Sequence, residues 1–290
     1  MSIAENLKQW AAARNPLARL FLERSALTDR VRARMPEKTF VRLSDGVTHY
    51  ELAGPKDGPC AVLVHGLTSP SFIWDYQFHA MAKAGLRVLR YDLFGRGLSD
   101  RPRLRYTPEV FDRQLTELLD TLHIHDCVDL VTLSMGAAIV LNFMDRHPER
   151  VRRYALFGPV GFPVDVPFRY KLAQAPLIGD VVMKLTGNRI FKKAINGQRI
   201  PNAARAAELR MHFLAQMQYK GYKRAVLSTS RHTPVLNLQS LYERVGRLKR
   251  EGLLFWGTED HITPFAHNEL VRAAMPDIVF HPFEGVGHTL

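Results

Sequence analysis

The chain has little cysteine: two residues in 290, Cys60 and Cys127. Both lie in apolar, strand-like runs, so we expect buried free thiols rather than a disulfide or a metal pair. No apolar run reaches the length of a membrane span. The first residues, Met-Ser-Ile-Ala-Glu-Asn, lack the basic start and apolar stretch of a signal peptide. These absences make a cytoplasmic protein the expectation. There is no internal repeat and no low-complexity stretch. No helix-turn-helix, RNA-binding or zinc signature accompanies the basic charge, so nucleic acid is not an expected partner.

Acidic residues are scarce in two places. Residues 163–250 carry 17 Lys/Arg against 4 Asp/Glu, and residues 1–38 carry 8 against 4. The stretch 39–162 balances at 14 against 14, and 251–290 is acidic at 1 against 6. The net charge of +12 therefore belongs to the N-terminal segment and one internal segment. An ordinary solvated surface would account for it. So would peripheral contact with an anionic membrane surface or an anionic substrate.

What is present is an alternation of two patterns. Short apolar runs at 40–43, 48–53, 61–65, 88–92, 128–133, 154–157 and 253–256 predict strands. Those at 61–65, 88–92, 128–133, 154–157 and 253–256 read as continuous apolar runs, the mark of strands buried on both faces. Helical periodicity falls between them at 75–84, 108–122, 135–147 and 264–274. Strand–helix alternation implies a mostly parallel sheet with helices on both faces. It stops near Gly161 and resumes near Gly252. We therefore expect an α/β core from 39–162 and 251–290, an inserted helical cap from 163–250, and a helical N-terminal segment from 1–38.

Three fragments then stand out by their order. Thr132-Leu133-Ser134-Met135-Gly136 lies where a buried strand passes into a helix. Gly257-Thr258-Glu259-Asp260 ends a later strand, and Gly287-His288 follows a glycine-rich loop near the C-terminus. A serine hydroxyl is nearly inert at neutral pH. It becomes a nucleophile when an imidazole takes its proton and a carboxylate holds that imidazole in one tautomer. Ser134, His288 and Asp260 are the candidates for those roles, and Glu259 is the neighbour that could be mistaken for the acid. Gly136 and Ala137 supply the small residues that a sharp strand–helix turn requires. Thr132 stands where G-x-S-x-G has glycine, and a β-branched residue would crowd that turn. Read alone, Ser134 also fits an ordinary helix N-cap.

His65-Gly66-Leu67-Thr68 follows the first buried strand. The useful group there is the Leu67 N–H, which together with the Met135 N–H would form an oxyanion hole. His65 itself is expected to be a structural hydrogen-bonder, and Asp92–Ser99 a loop-shaping segment. His261 and His267 are expected at the surface or behind the acid.

Together, 62–67, 92–99, 133–137, 256–264 and Gly287-His288 resemble the α/β-hydrolase superfamily over about residues 38–290. The resemblance implies that fold, with Ser134 as nucleophile, Asp260 as orienting acid, His288 as general base, and Leu67 and Met135 as oxyanion donors. His-Gly-Leu with Ser-Met-Gly looks most like the monoacylglycerol-lipase-like and carboxylesterase branch. Residues 219–224 and 230–232 also resemble the return from cap to core in that branch and in the carbon–carbon bond hydrolases. The family usually carries a final helix after the histidine loop, and only two residues follow His288 here.

The expected function is cleavage of small apolar carboxylic esters, with no metal and no organic cofactor. A carbon–carbon bond hydrolase of the meta-cleavage type, a thioesterase or acyltransferase, and a ligand-binding protein that kept the fold remain as alternatives. Leu209, Phe213 and Met217 recur at i, i+4 spacing with Leu214 beside them. Most of that stripe should pack the cap, and part of it should face the pocket.

Overall fold

The computed structural model describes residue 23 and residues 25–165, 174–196, 200 and 202–289. Residues 1–22, with the expected helix start at Asn15-Pro16, lie outside the described residues. The described part of the 1–38 segment is not one long helix. It holds a single short helix, α1 (Asp29–Arg32), capped by the Thr28 hydroxyl.

Eight strands form one sheet: β1 (Thr39–Leu43), β2 (Gly46–Ala53), β3 (Cys60–Val64), β4 (Arg87–Tyr91), β5 (Val128–Leu133), β6 (Val151–Phe157), β7 (Glu251–Gly257) and β8 (Val279–Phe283). Their spatial order is β1-β2-β4-β3-β5-β6-β7-β8. The β1–β2 and β2–β4 pairs are antiparallel and the other pairs parallel. This is the α/β-hydrolase fold expected from the sequence. Strand β8 did not stand out in the sequence, because Val-Phe-His-Pro-Phe breaks the apolar run and the strand is largely exposed.

The pleat sends alternate side chains to opposite faces, and the central strands feed two cores accordingly. Val62, Val64, Leu89, Tyr91, Val128 and Leu130 enter the larger core. Leu63, Val88 and Leu133 enter the smaller one on the other face. The larger core is roofed by α3 (Pro108–Thr121), α4 (Gly136–Arg146), α8 (Gln239–Gly246) and α9 (His267–Ala274). The smaller is covered by the turn Ser71–Trp74 and α2 (Asp75–Lys83). Towards β8 that second face carries an aromatic ladder. Phe157 stacks on Phe255 at 4.4 Å, and Phe255 on His281 at 5.2 Å with Phe283 beside it.

Cys60 is buried as expected. Cys127 is not: it precedes β5 at the sheet margin, exposed, with its thiol donating to the Glu149 carbonyl.

Between β6 and β7 lie α5 (Ile178–Asn196), α6 (Ala203–Gln216), α7 (Tyr222–His232) and α8. Phe191, Ile195, Phe213, Met217, Tyr222 and Val226 form a separate apolar cluster that rests on Leu67 and Phe72. Leu209, Phe213 and Met217 are all buried, so the stripe seen in the sequence is mainly packing. Within the expected 163–250 insertion, α8 packs into the main core through Leu241, Tyr242 and Val245, and α7 reaches it through Ala225.

Candidate active site

Ser134 follows β5 with φ +55°, in the left-handed region that costs a non-glycine residue about 1–2 kcal/mol. The surroundings hold it there. Its N–H donates to the Phe157 carbonyl (2.9 Å), and its own carbonyl accepts from Ala137 (3.0 Å) and Val160 (3.3 Å). The space beside it admits no extra atoms. A Cβ on Gly136 would lie 2.1 Å from Thr132 Oγ1 and 2.9 Å from the carbonyls of Val64 and His65. Thr132 is thus accommodated because Gly136 leaves it room. The fit leaves one polar group unpaired, because the fully buried Thr132 hydroxyl has no hydrogen-bond partner among the described residues.

Asp260 is buried in a turn of its own making. Its Oδ1 accepts from the amides of Ile262 (2.9 Å) and Thr263 (3.0 Å). Its Oδ2 accepts from the Thr263 hydroxyl (2.8 Å) and faces His288 Nδ1 at 2.7 Å. Burial pushes the Asp260 pKa up. The hydrogen bond and charge of His288 and the Thr263 donors outweigh that and hold it below the usual carboxylate range. The turn is pinned from behind by Trp256, whose indole N–H donates to the Thr263 carbonyl (2.9 Å).

The loop that carries His288 is stitched to the acid loop. Glu259 N–H donates to Val286 (3.0 Å), Thr258 N–H to Phe283 (3.0 Å), and Gly285 N–H to the Thr258 hydroxyl (3.0 Å). Gly257 permits the approach, since a Cβ there would lie 2.2 Å from the Val286 carbonyl.

The end of β6 joins the two halves. Phe157 holds the Ser134 amide, and the next residue, Gly158 at φ +46°, would place a Cβ 3.0 Å from Asp260 Oδ2 and 3.3 Å from His288 Nδ1. Asp260 and His288 are therefore in direct contact, and Ser134 is one residue of backbone away. Among the described residues no hydrogen bond joins the Ser134 hydroxyl to His288 in this resting arrangement.

The Leu67 loop is held by its carbonyls. His65 Nδ1 bonds the Gly66 carbonyl (2.7 Å), while its Nε2 accepts from Leu93 N–H (2.9 Å). Burial pushes His65 down to about 4, so the ring is neutral and structural, as its sequence context suggested. The Leu67 carbonyl accepts from Arg96 Nε (2.9 Å), and the Thr68 carbonyl from Gln216 (2.6 Å) and Tyr222 (3.2 Å). Arg96 is fully buried and also donates to Thr229 on α7 (2.8 Å). The Leu67 and Met135 amides have no acceptor among the described residues.

Asp92 is a buried structural carboxylate. It accepts from His49 Nδ1 (2.8 Å), Ser71 N–H (2.8 Å) and Leu98 N–H (2.9 Å). His261 is exposed, and His267 lies edge-on to Phe162. Asp75, Glu208 and His212 bring ligand-type atoms within 4.8 Å of one another. Their carboxylates are already paired: Arg205 lies 2.9 Å from Glu208 and 3.6 Å from Asp75, and Arg90 also bonds Asp75. The arrangement is an ion-pair cluster with two guanidiniums where a metal would compete. A cavity of about 470 Å³ between residues 31–38, the Pro70–Asp75 turn and α6 includes none of Ser134, Asp260 and His288 in its lining.

Sequence reasoning missed Thr263, Gly158 and Arg96. Thr263 had a signal in Asp-x-x-Thr, the spacing of a side chain that caps a turn. Gly158 and Arg96 had none, since their partners lie far away in sequence.

A solved enol-lactonase from Burkholderia xenovorans LB400 is 22% identical, with a TM-score of 0.73 over 87% of this chain and 93% of that one. The carboxylesterase CesB of Bacillus subtilis is 22% identical, with a TM-score of 0.70 over 99% and 93%. At these identities the likeness is one of fold. A 2-hydroxymuconate semialdehyde hydrolase of Pseudomonas putida is 28% identical over 205 residues, 70% of each chain. The family model described as "Alpha/beta hydrolase family" matches residues 61–290, a span that contains Leu67, Ser134, Asp260 and His288, and the chain belongs to that family.

Proposed function

We propose that this hydrolase cleaves carboxylic esters of apolar acyl chains through an acyl-enzyme on Ser134. The observation that carries the reading is the 2.7 Å Asp260–His288 contact beside the strand end that holds Ser134. With Nδ1–H committed to Asp260, Nε2 keeps its lone pair and serves as the base. Ser134 Oγ turns towards Nε2 and loses its proton to His288 as it attacks the acyl carbonyl. The Leu67 and Met135 amides receive the developing oxyanion, each contributing about 3 kcal/mol to the transition state. His288 then returns the proton to the leaving alcohol. Water repeats the sequence on the acyl-enzyme and frees Ser134.

The apolar cluster of the insertion, resting on Leu67 and Phe72, supports an apolar acyl group. It also supports the monoacylglycerol-lipase-like and carboxylesterase branch over a polar-substrate one. A second reading has a specific observation behind it. The Pseudomonas putida relative named above favours a carbon–carbon hydrolase of the meta-cleavage type, in which the same three residues would act on a vinylogous diketone.

The test is fluorophosphonate labelling followed by an ester series. Wild type labels and prefers octanoate over acetate esters. Ser134→Ala loses both labelling and turnover while its circular dichroism is unchanged. Labelling that persists in Ser134→Ala overturns the assignment. Efficient diketone cleavage with negligible ester turnover selects the second reading.

A further inference from the structure

A second concave site lies away from Ser134. Arg103 and Arg105, from the loop before α3, meet Arg224, Ser228, Arg231 and His232 of α7 and Asp180 of α5 around a cavity of about 340 Å³ that also includes Leu104. Four guanidiniums face one carboxylate. Arg224 spends its donors on the carbonyls of Arg101 (2.6 Å) and Pro102 (3.0 Å), which orient its charge without neutralising it. Arg231 is fixed by the carbonyls of Gln174 (2.8 Å) and Ala175 (2.9 Å) and takes the single acid, Asp180, at 3.0 Å. Arg103 and Arg105 are exposed and have no carboxylate partner among the described residues. The site carries an excess of cations, two of them, Arg224 and Arg231, held in place by backbone.

The helix that supplies Asp180 is unusual on its outer side. Leu177, Val181 and Leu185 follow one another at four-residue spacing and are 81%, 58% and 75% exposed. Ile178, beside them, is 50% exposed. Residues four apart on a helix stack along one face, so Val181 and Leu185 line one side of α5, and Leu177, in the left-handed turn just before the helix, stands exposed at its start; together they form an apolar ridge in water. Lys184, Arg189 and Lys193 are exposed on the same helix, and Asp180 is the only acid in α5. A soluble helix places its apolar stripe inward. Here an apolar ridge faces out, among cations, next to a pocket of arginines.

We propose that this face docks on an anionic phospholipid surface. Leu177, Val181 and Leu185 enter the boundary between headgroups and acyl chains, and the arginine pocket receives a headgroup phosphate. Apolar insertion and basic attraction are the two elements of interfacial binding by a helix lying in the membrane plane. Guanidinium forks match phosphate oxygens in geometry as well as charge. Charge complementarity selects this occupant, because the ridge and pocket together offer one carboxylate against at least seven cations. Among the described residues no helix is long and apolar enough to cross a bilayer. The proposal adds a location to the hydrolase reading and is tested apart from it.

The experiment is flotation of the full chain with vesicles of phosphatidylcholine alone or mixed with phosphatidylglycerol, at low and high salt. Expected is partitioning onto the mixed vesicles at low salt, more than tenfold weaker on neutral vesicles or at high salt. Leu177→Ser/Leu185→Ser and Arg103→Glu/Arg105→Glu each lower partitioning more than tenfold. Both pairs are exposed, so circular dichroism and turnover of a soluble ester stay at wild-type level. Equal partitioning onto both vesicle types, partitioning onto neither, or retention by both variants overturns the proposal. So does a dimer seen by light scattering that Leu177→Ser/Leu185→Ser dissociates while no vesicle binding is found, since the ridge would then be a subunit contact. Loss of vesicle binding with ester turnover intact leaves the Ser134 assignment standing.

Discussion

The turn that carries Ser134 and the loops that carry Asp260 and His288 are built on different principles. The serine turn adds close packing to its three backbone hydrogen bonds. Gly136, Thr132 and the carbonyls of Val64 and His65 fill the space around it so closely that its positive-φ backbone has nowhere to relax. The acid and histidine loops are held by donors and acceptors. Asp260 alone accepts from Ile262, Thr263 and His288, and Thr258 and Glu259 tie one loop to the other. A closely packed turn is sensitive to added atoms. A loop fixed by hydrogen bonds is sensitive to changes of atom type at constant shape.

Asp260→Asn is the sharpest probe of the second region, because it keeps the shape and removes the charge. We predict a fall in kcat of about 10⁴-fold, the size expected when the histidine tautomer is no longer enforced. Glu259→Gln, one residue away, should leave kcat within a few-fold; the reverse pattern would show that the acid had been misassigned. The same variant has a pH signature. The folded-state pKa of Asp260 lies below its ordinary value, so the carboxylate stabilises the fold above the unfolded value of about 3.9. That contribution is lost as the pH falls through the lower folded value. Melting curves between pH 5 and 2, as an approximate range for a lowered carboxylate, should fall less steeply for Asp260→Asn than for wild type.

The matching probe of the first region adds one methyl. In Gly136→Ala the new Cβ meets Thr132 Oγ1 at 2.1 Å and two carbonyls at 2.9 Å. Overpacking against backbone should cost about 3 kcal/mol, lowering Tm by roughly 6–12 °C for a chain of this size. The proposed ester turnover should fall with it. A variant with wild-type Tm and kcat would remove the steric account of the turn.

The smallest expected effect has the opposite sign. Thr132→Val keeps the volume beside Gly136 and removes a buried hydroxyl that has no partner. Relief of that group should raise stability by about 1 kcal/mol, or roughly 2–4 °C in Tm, with kcat near wild type. A destabilised Thr132→Val would point to an acceptor or ordered water for that hydroxyl.

The same contrast decides what could be read from the sequence. Seven of the eight strands, Ser134 at its turn and the Asp260–His288 order were legible because each rests on local pattern: buried apolar runs, small residues after a nucleophile, glycines before a loop. Thr132 looked like an obstacle, and its compatibility became visible only once Gly136 was seen facing it. Thr263 was silent because a threonine in a loop gains meaning from its contacts, here with Asp260 Oδ2 and the Gly158 carbonyl (3.1 Å). Strand β8 was silent for another reason. At the sheet edge, with Pro282 in it, it shows none of the continuous burial that marks β3 and β5. The outward ridge at the start of α5 was not read from the sequence, because periodicity gives a face without saying what covers it.

The aromatic ladder from Phe157 through Phe255 to His281 and Phe283 gives the sheet a gradient of local stability. At β5 each strand is insulated by a core on either side, whereas at β8 Val279 is 53% and Phe283 41% exposed. Little apolar burial means a small free-energy gap to local opening, so a sheet margin frays well before its centre yields. His288 is mounted on the loop that leaves this margin, while Ser134 stands over the centre. Ser134 and His288, the proposed nucleophile and base, thus belong to regions with different opening frequencies. Warming would first part them at the edge, in a reversible excursion that leaves the cores closed, and the enzyme would fall silent while still folded.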